Sequence, residues 1–214
     1  MKFKNLSVLA VLSFGILFSN NALAQRKNYT TEKYWGINAG MTGSMVGFKP
    51  TVNQSYLLGN NGGIVFRYIN DKSLGFQTEF NYSQRGWTEK DGLFSKQLNY
   101  IELPILTHFN FGRNFRVFFN IGPKLSYLIS EKTLLNNTVN STQEQHIKAT
   151  ERPFEYGLVV GTGFYMRIKK QVFQVEARAN YGAVDLYSNA ASDYFDASNN
   201  MNASLNFSWL LQTK

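Results

Sequence analysis

The sequence predicts an all-β fold, an eight-stranded antiparallel up-and-down transmembrane β-barrel with short periplasmic turns and long extracellular loops. Three observations carry that expectation. Eight segments alternate apolar and polar residues with period two, the mark of strands with one greasy face. Their connections alternate long, short, long, short, long, short, long, the rhythm of a barrel with tight turns on its periplasmic rim. An export leader precedes them, with Lys2 and Lys4, an apolar run Leu6–Phe18 and an Ala22-Leu23-Ala24 cleavage site before Gln25. The chain therefore divides into a signal peptide, 1–24, cut between Ala24 and Gln25, and a barrel domain, 25–214.

Bulk properties agree. The 214 residues are 15% aromatic and 17% charged, carry +8 and contain no cysteine. Mean hydropathy is −0.27, too low for a helical membrane protein, but alternating strands dilute hydropathy by half. Lack of cysteine excludes a disulfide-stapled secreted module and a lipid-anchored amino terminus. Removing Lys2 and Lys4 with the leader takes two from the net charge, and the remaining Lys and Arg are scattered, which argues against nucleic acid as a partner.

In order, the expected strands are Tyr34–Ser44, Gly62–Ile69, Leu74–Trp87, the two arms of the hairpin Asn99–Ser130, Pro153–Arg167, Gln171–Ala183 and Asn200–Leu211. Gln25–Lys33 reads as a periplasmic lead. Met45–Asn61, Thr88–Lys96, Glu131–Thr150 and Val184–Asn199 read as outer loops; Asn70–Ser73, Gly112-Arg113-Asn114 and Lys169-Lys170 read as tight turns.

The hairpin is the longest element. Folded about Arg113, it sets Phe111 opposite Phe115, Phe109 opposite Val117, Ile105 opposite Ile121 and Ile101 opposite Leu125 on an apolar face. The other face pairs Asn110 with Arg116, His108 with Phe118, Leu106 with Asn120 and Glu102 with Lys124. Pro104 and Gly122-Pro123 meet across it and predict a bulge or bend, because proline removes ladder donors and a closed barrel has no edge to hold it.

Aromatic residues fall at two levels. Tyr34, Trp35, Tyr68, Phe109, Phe111, Phe115, Phe164, Phe173 and Trp209 lie near the short turns. Tyr82, Trp87, Tyr100, Tyr127, Tyr156 and Tyr181 lie near the long loops. Two such belts are expected where amphipathic rings meet both membrane interfaces.

The polar face carries Glu79, Glu102, Glu155 and Glu176 with Arg67, Arg85, Arg116, Lys124, Arg167 and Arg178. An eight-stranded barrel is filled by its own side chains, and enclosed charges must pair. The expected site is therefore a lumen ion-pair network of Glu79, Glu102, Lys124, Glu155, Glu176, Arg178, Arg67 and Arg116 that plugs the barrel. Turning at Lys169-Lys170 sets Gly163 opposite Glu176 and Gly161 opposite Arg178, where missing side chains leave room for charged ones.

The chain resembles the PorT-like outer-membrane β-barrel family of Gram-negative bacteria. Tyr100-Ile101-Glu102-Leu103-Pro104-Ile105, Asn120-Ile121-Gly122-Pro123, Ser126-Tyr127-Leu128, Tyr82-Ser83-Gln84-Arg85-Gly86 and Gly157 with Gly161-Thr162-Gly163 carry the resemblance. It implies a porin-family outer-membrane barrel in contact with lipid, inserted by the outer-membrane assembly machinery. Some members serve protein secretion. Such barrels usually end in an aromatic residue, whereas this chain ends Trp209, Leu211, then Gln212-Thr213-Lys214.

Catalysis, cofactors and metals are not expected. His108 and His146 are the only histidines, the first expected in the packed lumen and the second in a mobile outer loop. Neither has a serine and a carboxylate at its level. The expected role is a non-enzymatic scaffold or secretion-associated component meeting a protein partner through its loops or periplasmic rim. The alternatives are a small-solute channel and a soluble exported ligand-binding barrel.

Overall fold

A computed structural model describes residues 30–136, 144–187 and 194–213. The expected signal peptide, with Ala24 and Gln25, lies outside these residues, as do parts of two outer loops. The barrel is the compact unit Thr31–Lys214.

Its strands are β1 (Glu32–Lys49), β2 (Gln54–Ser55), β3 (Leu57–Ile69), β4 (Leu74–Glu89), β5 (Phe94–Gly112), β6 (Phe115–Asn136), β7 (Phe154–Ile168), β8 (Gln171–Asp185) and β9 (Ala197–Thr213). A four-residue helix, α1 (Glu144–Ile147), lies between β6 and β7. The order is β2-β4-β3-β1-β9-β8-β7-β6-β5, and β5 pairs back onto β4. Apart from the two-residue β2, which pairs only with the outer end of β4, eight antiparallel strands close the ring.

Period-two patterning sets the two surfaces. On β1, Tyr34, Thr42, Ser44, Val46 and Phe48 are buried, while Trp35, Ile37 and Met41 face outward. An inward apolar face would define a soluble ligand-binding barrel. Here Trp35 is 52% exposed, Phe111 60%, Phe115 56% and Phe207 52%, while charged side chains are buried. Water would not tolerate so continuous an apolar wall, whereas lipid requires it.

The eight barrel strands run 13 to 22 residues, against the roughly 9–11 needed to cross the hydrocarbon. The excess stands on the long-loop side, where the outer wall turns polar. There Tyr82 Oη donates to Asn99 Oδ1 at 3.0 Å, Gln97 Nε2 donates to the same oxygen at 2.7 Å, and Asn99 Nδ2 donates to Ser130 Oγ at 2.9 Å. The expected loop Thr88–Lys96 is consequently a four-residue turn, 90–93, between continuing strands. Met45–Lys49 and Leu57–Asn61 likewise belong to strands. Beyond the membrane the outer face gains polar residues while the inner face gains apolar ones, Val46, Phe48 and Leu57, and the alternation that marked strands within it is lost.

Three further details differ from expectation. The β5–β6 register is displaced by one residue pair: Phe111 faces Val117, Phe109 faces Phe119, and Glu102 faces Ser126. The turn centres one residue later, following Gly112 at φ +121°, a conformation that L side chains rarely adopt. A displacement of two residues preserves parity, so no side chain changes face. His108 therefore sits opposite Asn120 instead of Phe118.

The prolines make no bulge. Pairing lapses between Pro104 and Thr107 and resumes in the same register, and a side chain at Gly122 would meet Ile105 O at 2.0 Å. The register shifts lie nearer the outer end, at Ser95/Lys96 and Asn99/Tyr100. Finally, Tyr34, Trp87 and Tyr100 are fully buried and point inward, so they leave the belts; Tyr82, Tyr127, Tyr156 and Tyr181 remain outside.

Candidate functional site: the filled lumen

Among the described residues, inward positions carry six buried carboxylates, Glu32, Glu79, Glu89, Glu102, Glu155 and Glu176, and six buried cations, Arg67, Arg85, Lys96, Arg116, Lys124 and Arg178. Equal numbers let ions remain charged away from bulk water, provided geometry brings them together.

At the short-turn end, Glu32 receives Arg116 Nη2 at 2.9 Å, Arg167 Nη1 at 3.0 Å and the Tyr34 hydroxyl at 2.7 Å. Arg116 also donates to Asn110 Oδ1 at 3.1 Å and to Tyr165 Oη at 3.2 Å. Above it lies Arg67, for which no carboxylate is within ion-pair distance among the described residues. Its N–H groups go to Gln77 Oε1 at 2.6 and 2.8 Å and to Gln174, and its guanidinium lies 5.1 Å from the Tyr165 ring. Neutral oxygens and an aromatic face suit the planar, weakly hydrated guanidinium better than they would an ammonium.

Beside Arg67, Asn120 Nδ2 donates to Glu176 Oε1 at 2.9 Å, which turns Asn120 Oδ1 toward His108 Nδ1 at 2.7 Å. That oxygen only accepts, so His108 carries a proton on Nδ1.

The next group joins opposite walls. Arg178 grips Glu79 with two hydrogen bonds of 2.7 and 2.9 Å and reaches Glu176 at 2.8 Å. Gln77 Nε2 and Asn81 Nδ2 donate to the Glu79 oxygens at 2.6 and 2.7 Å. Gly161 stands opposite Arg178 and Gly163 opposite Glu176. A Cβ at Gly161 would lie 2.2 Å from Glu176 Oε1, so this glycine holds open the space that the carboxylate fills.

Further out, Arg85 pairs with Glu102 and, at 2.8 Å, with Glu155. Lys124 Nζ lies 3.5 Å from Glu155 and 3.7 Å from Glu102. Asn200 Nδ2 donates to Glu155 at 2.6 Å, and the Tyr100 ring lies 4.3 Å from the Arg85 guanidinium. Glu102 and Lys124 thus meet diagonally across one register step.

Above this quartet the lumen becomes apolar. Val46, Phe48, Trp87, Phe94, Leu98, Tyr100, Leu186, Tyr187 and Phe195 form a core inside the mouth. Phe48 and Trp87 meet edge-on at 5.3 Å, and Tyr187 stacks on Phe195 at 5.5 Å. Burial, with Glu131 and Tyr100 nearby, raises the Tyr187 phenol above its ordinary pKa. His146 on α1 stacks on Phe94 at 4.0 Å and bonds Glu89 at 2.8 Å, so its loop segment is seated on the cap. Lys96 reaches Glu131 at 3.2 Å and the Lys148 carbonyl at 2.8 Å.

All eight residues expected in the network lie in the lumen. Six of them, with Arg85, form two clusters of ion pairs; Arg116 joins a third with Glu32 and Arg167, and Arg67 takes neutral partners. Glu32 was hidden by its assignment to the lead, although it shares parity with Tyr34 and Asn38. Gln77, Asn81, Asn120, Gln174 and Asn200 were also overlooked; alternation with their charged neighbours placed them on the same face. Among the described residues no group of His, Asp and Glu has the geometry to hold a metal ion.

The outer membrane protein beta-barrel domain model matches residues 23–188. The chain belongs to this family. Membership and the exposed apolar wall place the protein in the outer membrane, in contact with lipid. Among solved structures, Neisserial surface protein A is similar over 86% of this chain and 99% of its own, at 13% identity and a TM-score of 0.50. Outer Membrane Protein W of E. coli covers 87% of this chain and all of its own at 11% identity, TM-score 0.47. Ail of Yersinia pestis covers 84% and 99% at 15% identity, TM-score 0.44. No curated protein matches. Identities this low speak to the fold alone.

Proposed function

We propose that this protein is a non-enzymatic, non-conducting scaffold of the PorT-like kind, presenting its outer end or periplasmic rim to a protein partner, in association with secretion. One observation carries this reading: the lumen is filled twice over, by cross-wall ion pairs below and an aromatic core above. A solute would have to break buried pairs and also displace Trp87 and Phe48. His108 and His146 are engaged with Asn120 and Glu89, contacts that hold the lumen and the α1 segment in place. The seated segment and the long strands form a surface beyond the membrane that is suited to holding a partner.

The charged lining is the feature a small-solute channel would share. Planar-bilayer recording separates the two readings. The scaffold reading expects no sustained conductance from wild type and openings in Glu102→Ala or Arg178→Ala; steady wild-type channels would refute it. Crosslinking in intact cells followed by detergent pull-down tests the partner, expecting one stoichiometric protein that is lost when loop residues are replaced.

A further inference from the structure

The two ends of the barrel are charged differently. At the short-turn end, each turn exposes a cation: Lys72 after β3, Arg113 after β5, Lys169 and Lys170 after β7, with Lys33 beside them at the start of β1. Among the described residues Asp71 is the one exposed carboxylate there, and none of the five cations is in an ion pair with another described residue. Among the described residues the outer end is balanced, with exposed Lys49, Lys90, Lys132 and Arg152 against Asp91, Glu131, Glu151 and Asp196.

The cations sit at a defined height. Lys33 lies two residues beyond Trp35, and Arg113 lies two residues from both Phe111 and Phe115. Two residues of strand span about 7 Å, the step from an interfacial ring to the phosphate level of a leaflet. Stems of Lys and Arg extend along such a boundary while their heads reach phosphate.

We propose that these five residues form a basic collar that gathers anionic phospholipid headgroups from the periplasmic leaflet. The recognised chemistry is the phosphodiester of a net-negative lipid, met at the circumference by several cations with no carboxylate competing on most of it. The collar fixes the barrel's height and surrounds it with a selected lipid shell.

The test uses the full mature chain in vesicles of phosphatidylcholine with spin-labelled phosphatidylglycerol or spin-labelled phosphatidylcholine. Wild type is expected to immobilise the anionic lipid on the order of five-fold more strongly per collar position at low salt, declining toward parity near ~0.5 M salt as screening shortens. Replacing Lys33, Lys72, Arg113, Lys169 and Lys170 by Gln should abolish the preference. Replacing Lys49, Lys90, Lys132 and Arg152 by Gln should leave it unchanged. Heat-dependent gel mobility establishes that each variant is folded, and the salt series on wild type needs no variant. Equal immobilisation of both lipids by wild type would overturn the proposal. So would a preference lost only in the outer-end variant, or a collar that ignores phosphatidylglycerol and instead captures a poly-glutamate peptide.

Discussion

Glu155→Ala is the sharpest perturbation of the lumen. The carboxylate accepts Arg85 at 2.8 Å and Asn200 at 2.6 Å and lies 3.5 Å from Lys124. Its removal leaves Glu102 alone against two buried cations, so one positive charge is uncompensated inside the wall. Breaking a buried pair in this way costs about 3–5 kcal/mol. With a urea dependence of about 2 kcal/mol per molar, the unfolding midpoint falls by roughly 1.5–2.5 M. Glu131→Ala, at the wetter Lys96 pair, should cost about 1 kcal/mol or less. The decisive companion is Glu155→Leu with Lys124→Met, which removes one charge of each sign and should recover most of the loss. The assay is urea titration in lipid vesicles, followed by tryptophan fluorescence and gel mobility. A loss below about 1 kcal/mol in Glu155→Ala, or a double variant showing the sum of two single losses, would refute the charge-balance argument.

Other expectations follow from the same geometry. Gly161→Val drives a side chain into the Glu176 carboxylate and should cost about 1–3 kcal/mol, whereas Ala177→Val on the lipid face should stay within about 0.5 kcal/mol; urea midpoints compare them. Trp87→Ala empties the cap and should cost about 3–5 kcal/mol, with single-channel openings as a second readout. Leu205→Arg, on the lipid face near mid-height, should destabilise the vesicle-inserted barrel by about 2–4 kcal/mol and matter far less in detergent. The raised Tyr187 phenol stays neutral in the folded barrel and ionises more readily on unfolding. Stability should therefore fall as pH climbs above about 10, less steeply in Tyr187→Phe; equal slopes would exclude Tyr187 as the source.

Much of this was legible because strands in a thin-walled barrel obey a strict period of two. Parity alone put Glu79, Glu155 and Arg178 inside and Phe80, Tyr156 and Ala177 outside. What parity does not encode is longitudinal position. The hairpin Gly112-Arg113-Asn114 can close about either of two residues, so Glu102 was paired one step from its real partner without changing face. Residue type misled at three places: Tyr34, Trp87 and Tyr100 were grouped with lipid-facing aromatics, although Trp87 shares parity with Arg85 and Tyr100 with Glu102. Hydropathy failed where the medium changed. Outside the bilayer, strand residues such as Thr88, Glu131 and Lys132 have no reason to be apolar, and they read as loop.

The separation in sequence of the lumen contacts has a consequence for assembly. Glu32, the first residue of β1, is bonded to Arg116 and Arg167, 84 and 135 residues later, and Asn200 on β9 reaches Glu155 on β7. A growing, still-open sheet cannot make the Glu32 contacts, because they cross the interior between walls that have not yet faced each other. Until β9 zips onto β1, those ions remain hydrated and the interior stays wet. Seam closure and expulsion of water are therefore one event, and the last strand acts as a latch that dries the barrel as it shuts.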